Sequence, residues 1–421
     1  LKNGSAFFIA LRYLLGRGRE GGRYLRGAAI GIGVSLIPIV VTLIVADGMI
    51  RGITDRYLEL GTGHLEIYDF DKPSEVALIR NRVLQEGGVT GAWAERQGLG
   101  ILVGPLGKSG TTVRAVDDLF LDDQGTKKLL TLRRGSLVLP DEQSALLGEA
   151  LAKTIGAQVG DTVRLMTLRT ADDGRTVPRL APFTVRGIVS SGYQELDALW
   201  CFIPYSEGLR MLSAGDSKNF LLVKVTDPYG GIDRIAQRLA VTLGDQYGVY
   251  PWKELQQAQY RSFESTRQLL LFIMALIVIV AAVNVSSATA MLVVERRRDI
   301  AILKSFGVGA RKISRIFTYA SFLTGFVGSL GGIAVGLIIG YTINDLIRFL
   351  EIILGFFSSL FHGGAVRILN PKYYLETIPV VIDWVAIAVI WGATVLCSVI
   401  AALRPARRAG RLSPTEILRK Y

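Results

Sequence analysis

Largely apolar stretches of 20 or more residues without a charge occur in four places along this chain. Residues 27–46 (GAAIGIGVSLIPIVVTLIVA) hold no charge over 20 positions. A helix of that length rises about 30 Å, the thickness of a bilayer's hydrocarbon core. A cleaved signal peptide would have a shorter apolar core, about 7–15 residues, before a small-residue cleavage site. The run therefore reads as an uncleaved first span, with a kink predicted at Pro38. Residues 253–268 are polar with helical spacing and lead straight into LLLFIMALIVIVAAVNVSSATAMLVV (269–294). One continuous helix is expected there, a stalk outside and a span within. Residues 316–344 and 384–403 predict a third and a fourth span.

Between the first two spans the pattern changes to short alternating runs bounded by turns. HLEIYDF (64–70), TTVRAVDD (111–118), GDTVRLMTL (160–168), FTVRGIV (183–189), LWCFIPY (199–205) and FLLVKV (220–225) read as strands. ALLGEALAKTIG (145–156), stopped at Gly156, and GGIDRIAQRLAVTLG (230–244) read as helices. Two strand–helix groups of this length suggest an α+β domain in two lobes. Near the N-terminus, Phe7, Phe8, Leu11, Leu14 and Leu15 recur at helical spacing among polar residues, as in a helix lying in a membrane interface. LIRFLEIILGFFSSLF (346–361) is apolar but short and carries Arg348 and Glu351. A charge near the bilayer centre costs about 2.5–3.5 kcal/mol, so it reads as an interfacial or packed outer helix and not as a fifth span. The expected fold is an α-helical membrane protein with four transmembrane helices plus an extracytoplasmic α+β domain. Its segments are 1–26 (interfacial helix), 27–47 (first span), 48–265 (outer domain), 266–294 (stalk and second span), 295–315 (cytoplasmic segment), 316–344 (third span), 345–378 (outer loop), 379–403 (fourth span) and 404–421 (tail).

Charge supplies the orientation. Of the formal net charge of +12, residues 1–26, 295–315 and 404–421 each hold +5, which leaves −3 for everything else. Basic residues confined to three short blocks beside apolar spans follow the positive-inside rule. With an even number of spans, all three blocks and both termini fall in the cytoplasm and the large domain falls outside. A nucleic-acid groove would gather its basic residues on one folded surface, so that partner class is excluded. Cys201 and Cys397 fall in the outer domain and a span, too far apart to bridge. His64 and His362 are ordinary polar positions, and no metal site is expected. GPLGKSG (104–110) imitates a phosphate loop, but the required first glycine falls at Leu102 and strand-like residues follow where a helix is needed. No catalytic site and no cofactor are expected in this chain, so any ATP and Mg would be bound by a separate subunit.

Two segments carry mechanism. VVERRRDIAILKSFGVGARKISRIF (293–317) opens with the charged run Glu295, Arg296, Arg297, Arg298 and Asp299. It continues with Ile300, Ala301, Leu303 and Phe306 on one helical face beside Lys304, and breaks at Gly307. Such a helix can dock into a groove on a cytoplasmic partner; alternatively it is a basic loop that fixes topology. In the third span Gly328, Gly332, Gly336 and Gly340 recur every fourth residue, with Gly325 and Gly331 nearby. That spacing puts them on one face and allows another helix close approach, within the chain or across a dimer axis; ordinary glycine enrichment of membrane helices is the other reading.

The run ERRRDIAILKSFGV (295–308) resembles the cytoplasmic coupling segment of FtsX/MacB-type ABC permeases, and RPARRAGRLSPTEILRKY (404–421) resembles their closing segment. ALRYL (10–14), DGMIRGITDRYLELGTGHLEI (47–67), LGEALAKTIGAQVGDTVRL (147–165), VRGIVSSGYQELDALWCFIPYSEGLRML (185–212) and YYLETIPVVIDW (373–384) are similar, in order and spacing, to the lipoprotein-releasing LolC/LolE type. The likeness covers nearly the whole chain. It implies a MacB-like periplasmic core, a cytoplasmic ATPase subunit and a second permease, either another copy or a sister chain. It also implies an acylated lipoprotein substrate that enters sideways from the outer leaflet between the first two spans, and a periplasmic carrier. The stretch corresponding to the family's carrier-recruiting loop is LRTADDGRTVPRLAP (168–182), with Arg175, Pro178, Arg179 and Pro182 as its features; the tip Asp172-Asp173-Gly174 departs from the family's pattern. A mechanotransmission exporter and a regulator of a cell-wall hydrolase are the competing functions within the superfamily.

Overall fold

The computed structural model describes residues 3–15, 21–68, 70, 73–170, 176–213, 215, 217–360, 375 and 377–411. It divides into two compact units: one of Leu1–Gly48, Phe263–Phe357 and Pro379–Tyr421, the other of Met49–Ser262 and Ser358–Ile378.

The first unit is helical. Helices α1 (Asn3–Leu15) and α2 (Gly21–Arg56) come from the N-terminal part of the chain. Helices α11 (Gln257–Glu295), α12 (Arg297–Ser305), α13 (Ala310–Tyr341), α14 (Ile343–Leu360) and α15 (Trp384–Arg411) complete it. Four of these, α2, α11, α13 and α15, are long and apolar enough to cross a membrane. α2 continues through Pro38 and beyond its apolar run. Past Asp47 the helix continues to Arg56, and polar side chains there bond back to its carbonyls: Thr54 Oγ1 donates to the Ile50 carbonyl at 2.7 Å and Arg56 Nη1 to that of Gly52 at 2.9 Å. Ile32, Leu36, Ile39, Val40 and Leu43 of α2 pack with Met274, Val278 and Val285 of α11, Ile333 of α13 and Ile387 of α15. α14 turns Phe349, Ile352 and Phe356 outward while Asn344 and Glu351 are half-buried. Asp345 and Arg348 are exposed as well and Ile343 is buried, so the outward face mixes charged and large apolar side chains, as a helix at a membrane interface does.

The second unit is built on one ten-stranded sheet, where the sequence suggested two lobes. Its strands are β1 (Leu65–Ile67), β2 (Val89–Val103), β3 (Lys108–Val116), β4 (Thr131–Gly135), β5 (Ser144–Gly148), β6 (Thr162–Thr170), β7 (Thr176–Ser190), β8 (Trp200–Pro204), β9 (Ser217–Val225) and β10 (Val249–Pro251). Its helices are α3 (Pro73–Leu84), α4 (Asp118–Asp122), α5 (Gln124–Leu129), α6 (Glu149–Ile155), α7 (Gln194–Asp197), α8 (Tyr205–Met211), α9 (Ile232–Leu243) and α10 (Trp252–Leu255), after a π-helical turn at Tyr57–Gly61. The strand order is β10-β1-β9-β2-β3-β8-β5-β7-β4, and β6 pairs with both β2 and β7. Strands β2, β3, β8, β5, β7 and β6 therefore close into a ring around Leu102, Val113, Leu147, Val163, Phe183 and Cys201. A second core, with Leu65, Ile79, Ala94, Val223 and Leu239, lies under α3 and α9. The long strand β2 joins the two. It pairs with β9 along Val89–Gly98 and with β6 along Gly100–Val103, which is why two cores share one sheet.

Residues 145–148 depart from the expected helix. They form β5, a fully buried strand between β7 and β8, and the helix starts only at Glu149. A short, wholly apolar run has no periodicity to tell a buried strand from a buried helix. Gly156, at φ +71°, does end that helix. Residues 104–107 of GPLGKSG are the turn of the β2–β3 hairpin, with the Gly104 N–H donating to the Gly107 carbonyl at 2.8 Å, and Lys108–Gly110 open β3. His64 is buried in the sheet, its Nδ1 accepting the Val225 N–H at 2.9 Å. His362 lies outside the described residues. Both cysteines are free thiols.

The sheet carries a pH response on β1, beside its β10 edge. Glu66 of β1 is 4% exposed and accepts a hydrogen bond from the Tyr68 hydroxyl. Burial, with the nearby Glu95 charge adding to it, pushes the Glu66 carboxyl up to about 7. The folded state then holds a proton that the unfolded chain releases above its ordinary pKa. Stability from this group is fully present below about 4.5 and is lost as pH rises through about 7. The loss is on the order of 3 kcal/mol for a shift of this size. Thermal unfolding in detergent should therefore move to lower temperature between pH 5 and pH 8, and Glu66→Gln should flatten the profile; a flat wild-type profile would refute this.

Candidate functional site: the coupling segment and the packing of the spans

α12 is held between the ends of α11 and α13. Glu295 ends α11 half-buried, and Arg296 occupies the joint with φ −92° and ψ 20°. The Arg296 guanidinium lies 5.0 Å from the centre of the Tyr13 ring, and its Nη1 is 3.1 Å from Asp299 Oδ2. Tyr13 in turn stacks on Phe317 of α13, ring centres 6.3 Å apart. Ile300 and Ala301 are buried, and Ile300 packs with Ala10, Leu25 and Ile313. Gly307 takes φ +77°, the left-handed conformation glycine adopts without steric cost. It turns the chain so that α13 can start three residues later. The contribution of α1, through Tyr13, had no signal in the sequence, because a contact between residues 13 and 296 has no local periodicity.

The single apolar face expected for Ile300, Ala301, Leu303 and Phe306 is split. Ile300 and Ala301 point inward and Leu303 is half-buried, but Phe306 is 82% exposed. At about 100° per residue, Phe306 lies roughly a third of a turn from Ile300, and α12 ends at Ser305. The outward surface is formed by Arg297 and Arg298, both exposed, with Ile302 and Phe306; Lys304 is half-buried. A cationic rim around an exposed phenylalanine suits a groove with acidic edges. Ile302 was missed because it sits off the face that the pattern of Ile300 and Leu303 defines.

The four glycines of α13 meet α2 inside this chain. A methyl group on Gly328 would lie 2.5 Å from the Ala29 carbonyl oxygen, and one on Gly332 would lie 2.5 Å from that of Gly33 and 2.7 Å from its Cα. On Gly336 it would meet Val40 Cβ at 2.8 Å, and on Gly340 Ile44 Cδ1 at 2.5 Å. Gly325 faces Ser398 of α15, whereas Gly331 has open space. The stripe thus lets the first and third spans touch backbone to backbone. α11 is fastened by polar bonds instead: Thr289 and Ser321 hydroxyls are 2.7 Å apart, and Ser286 donates to the Ala401 carbonyl at 2.9 Å. The closing segment of the chain packs there too, with Pro405, Ala406 and Ala409 buried in α15; residues 412–421 lie outside the described residues.

The stretch 168–182, expected as a loop, is mostly a hairpin. β6 runs to Thr170 and β7 starts at Thr176. Pro178 pairs with Leu168 and Pro182 with Arg164, and both prolines are exposed. Arg179 donates through Nη1 to the Arg210 carbonyl. Arg175 and the Asp172-Asp173-Gly174 tip lie outside the described residues.

Residues 27–240 match the MacB-like periplasmic core domain and residues 271–414 the FtsX-like permease C-terminal region. The chain is 26% identical over 424 residues to the lipoprotein-releasing system transmembrane protein LolC of Neisseria meningitidis serogroup B, across 98% of each chain. It is 28% identical over 423 residues to LolC of Xylella fastidiosa, again across 98% of each. It is 24% identical over 433 residues to the corresponding protein LolE of Haemophilus influenzae, across 99% of each. With a MacB-like periplasmic core matched over residues 27–240 and an FtsX-like permease region over residues 271–414, this chain belongs to the FtsX/MacB family of ABC transporter permeases.

Proposed function

We propose that this chain is the permease subunit of an ABC transporter that extracts acylated lipoproteins from the bacterial inner membrane and hands them to a periplasmic carrier. The observation that carries this reading is the similarity to lipoprotein-releasing transmembrane proteins over 98% of both chains. ATP and Mg are bound by a separate cytoplasmic subunit, and a second permease, a copy or a sister chain, completes the membrane part. Both termini are cytoplasmic, a reading supported by four candidate spans and the three basic blocks. The ATPase grips Arg297, Arg298, Ile302 and Phe306, and its closure pulls on α12. α11 carries the motion outward, and Pro178, Arg179 and Pro182 belong to the hairpin that meets the carrier.

The test is ATP-dependent release of a purified lipoprotein from proteoliposomes that hold this chain with its ATPase, in the presence of the carrier. Release into the soluble carrier fraction is expected. Capture of a cell-wall hydrolase by the outer domain, with no release, would overturn the reading. Phe306→Ala should weaken ATPase binding by about thirtyfold, as loss of an exposed aromatic anchor at an interface costs about 2 kcal/mol. Co-purification of the ATPase measures it, and unchanged recovery would remove Phe306 from the contact.

A further inference from the structure

We propose that Arg267 is a clasp that holds α11 to the outer ends of α2 and α15 and releases during the transport cycle, an inference that rests on the mechanical coupling described above. Arg267 stands two residues before the apolar run of α11. Its Nε is 3.3 Å from Asp47 Oδ1 and its Nη2 is 2.9 Å from Asp383 Oδ2. Asp47 closes the apolar run of α2. Asp383 caps α15, its Oδ1 accepting the Val385 and Ala386 N–H groups at 3.0 Å each. The planar fork of one guanidinium therefore joins three spans.

Three features make this junction a clasp and not merely a structural bond. The Arg267 side chain is 45% exposed, so water can solvate the guanidinium once it leaves its carboxylate partners. Farther along, α11 is tied to its neighbours by the Thr289–Ser321 and Ser286–Ala401 bonds, one of them buried. The outer end is thus the exchangeable one. Second, no flexible joint separates Arg267 from the coupling segment. The Arg296 N–H donates to the Leu292 carbonyl at 3.0 Å and the Ile300 N–H to the Arg296 carbonyl at 2.9 Å, so helical bonding passes through the joint into α12. A pull on α12 reaches Arg267 along about 45 Å of helix. Third, Asp47 Oδ2 is buried without a hydrogen-bond partner. That carboxylate leans on Arg267, and withdrawing the guanidinium strands a charge between the two spans. Two arrangements of one element, biased by an event at its far end, are what coupling through a rigid helix requires.

Pulsed EPR on the complex of the full chain with its ATPase, in phosphatidylethanolamine/phosphatidylglycerol vesicles, tests this. Nitroxides are placed at Met49→Cys and Gln268→Cys in a Cys397→Ser background; Cys201 is buried and stays unlabelled. One short distance is expected without nucleotide and a second, longer one with trapped ATP. Arg267→Gln should show the long distance without nucleotide, raising its share about tenfold, and Arg267→Lys should restore the short one. ATP hydrolysis should persist in Arg267→Gln while release falls. A single unchanged distance in every state, or wild-type distances in Arg267→Gln, overturns the clasp. Labels that separate with ATP in a complex releasing no lipoprotein leave the clasp standing and refute the cargo; release with unmoved labels refutes the clasp alone.

Discussion

Gly332→Leu should prevent the first and third spans from seating against each other, and the chain should be recovered from membranes largely misfolded or degraded. The Gly33 backbone stands 2.5–2.7 Å from where the new Cβ must go, and backbone cannot rotate aside as a flexible side chain can. Overpacking an ordinary core costs about 1–3 kcal/mol; parting two helices along their whole contact costs more, because every step of the stripe loses its contacts together. Gly331→Leu is the control, since nothing lies within 4 Å of that position. Detergent-extracted yield and thermal unfolding of the two variants measure the difference. Equal behaviour would mean that the first and third spans do not meet through this face.

Arg114→Leu should destabilise the outer domain by about 3–5 kcal/mol, the cost of removing one member of a buried ion pair. Arg114 and Glu95 have fully buried side chains and meet diagonally across β3 and β2, Arg114 lying opposite Gln97, with Nε to Oε1 and Nη2 to Oε2 both at 2.6 Å. The guanidinium is also enclosed by rings, 4.7 Å from the centre of Trp200, 5.1 Å from Phe202 and 5.2 Å from Phe120. It donates to the Leu60 carbonyl and, at 3.3 Å, to that of Gly61. These carbonyls end the π-helical turn that follows α2, so Arg114 fastens the sheet to the chain rising from the first span. Leucine leaves the Glu95 carboxylate buried and those carbonyls without their donor. The double variant Glu95→Leu/Arg114→Leu should cost less than Arg114→Leu alone, because it removes the stranded charge. A double variant less stable than the single one would contradict this account.

Several parts of the molecule were legible in the sequence because they depend on one segment and its solvent. Whether residues 27–46 or 269–294 are apolar for 20 positions or more is a one-dimensional question, and lipid answers it without reference to the rest of the chain. The glycine repeat at 328, 332, 336 and 340 is likewise visible from helical spacing alone. Strands such as β6 and helix α9 followed from alternation and from period 3.6. β5 did not, because a strand buried on both faces has no alternation to display, and β2 did not, because Gly91, Gly98 and Gly100 interrupt it and its burial has no regular period.

The apolar spans, the basic blocks beside them and the small-residue face of α13 were thus determined by the order of residues, since each is a local property set against lipid or water. Which helix fills that face, that Phe306 points out while Ile300 points in, that Arg114 finds Glu95 and that Arg267 meets both Asp47 and Asp383 were decided only by the tertiary structure. Those pairings depend on strand register and on how far each helix is rotated about its axis. Both are set by the packing of all the elements at once, so no window along the chain contains them.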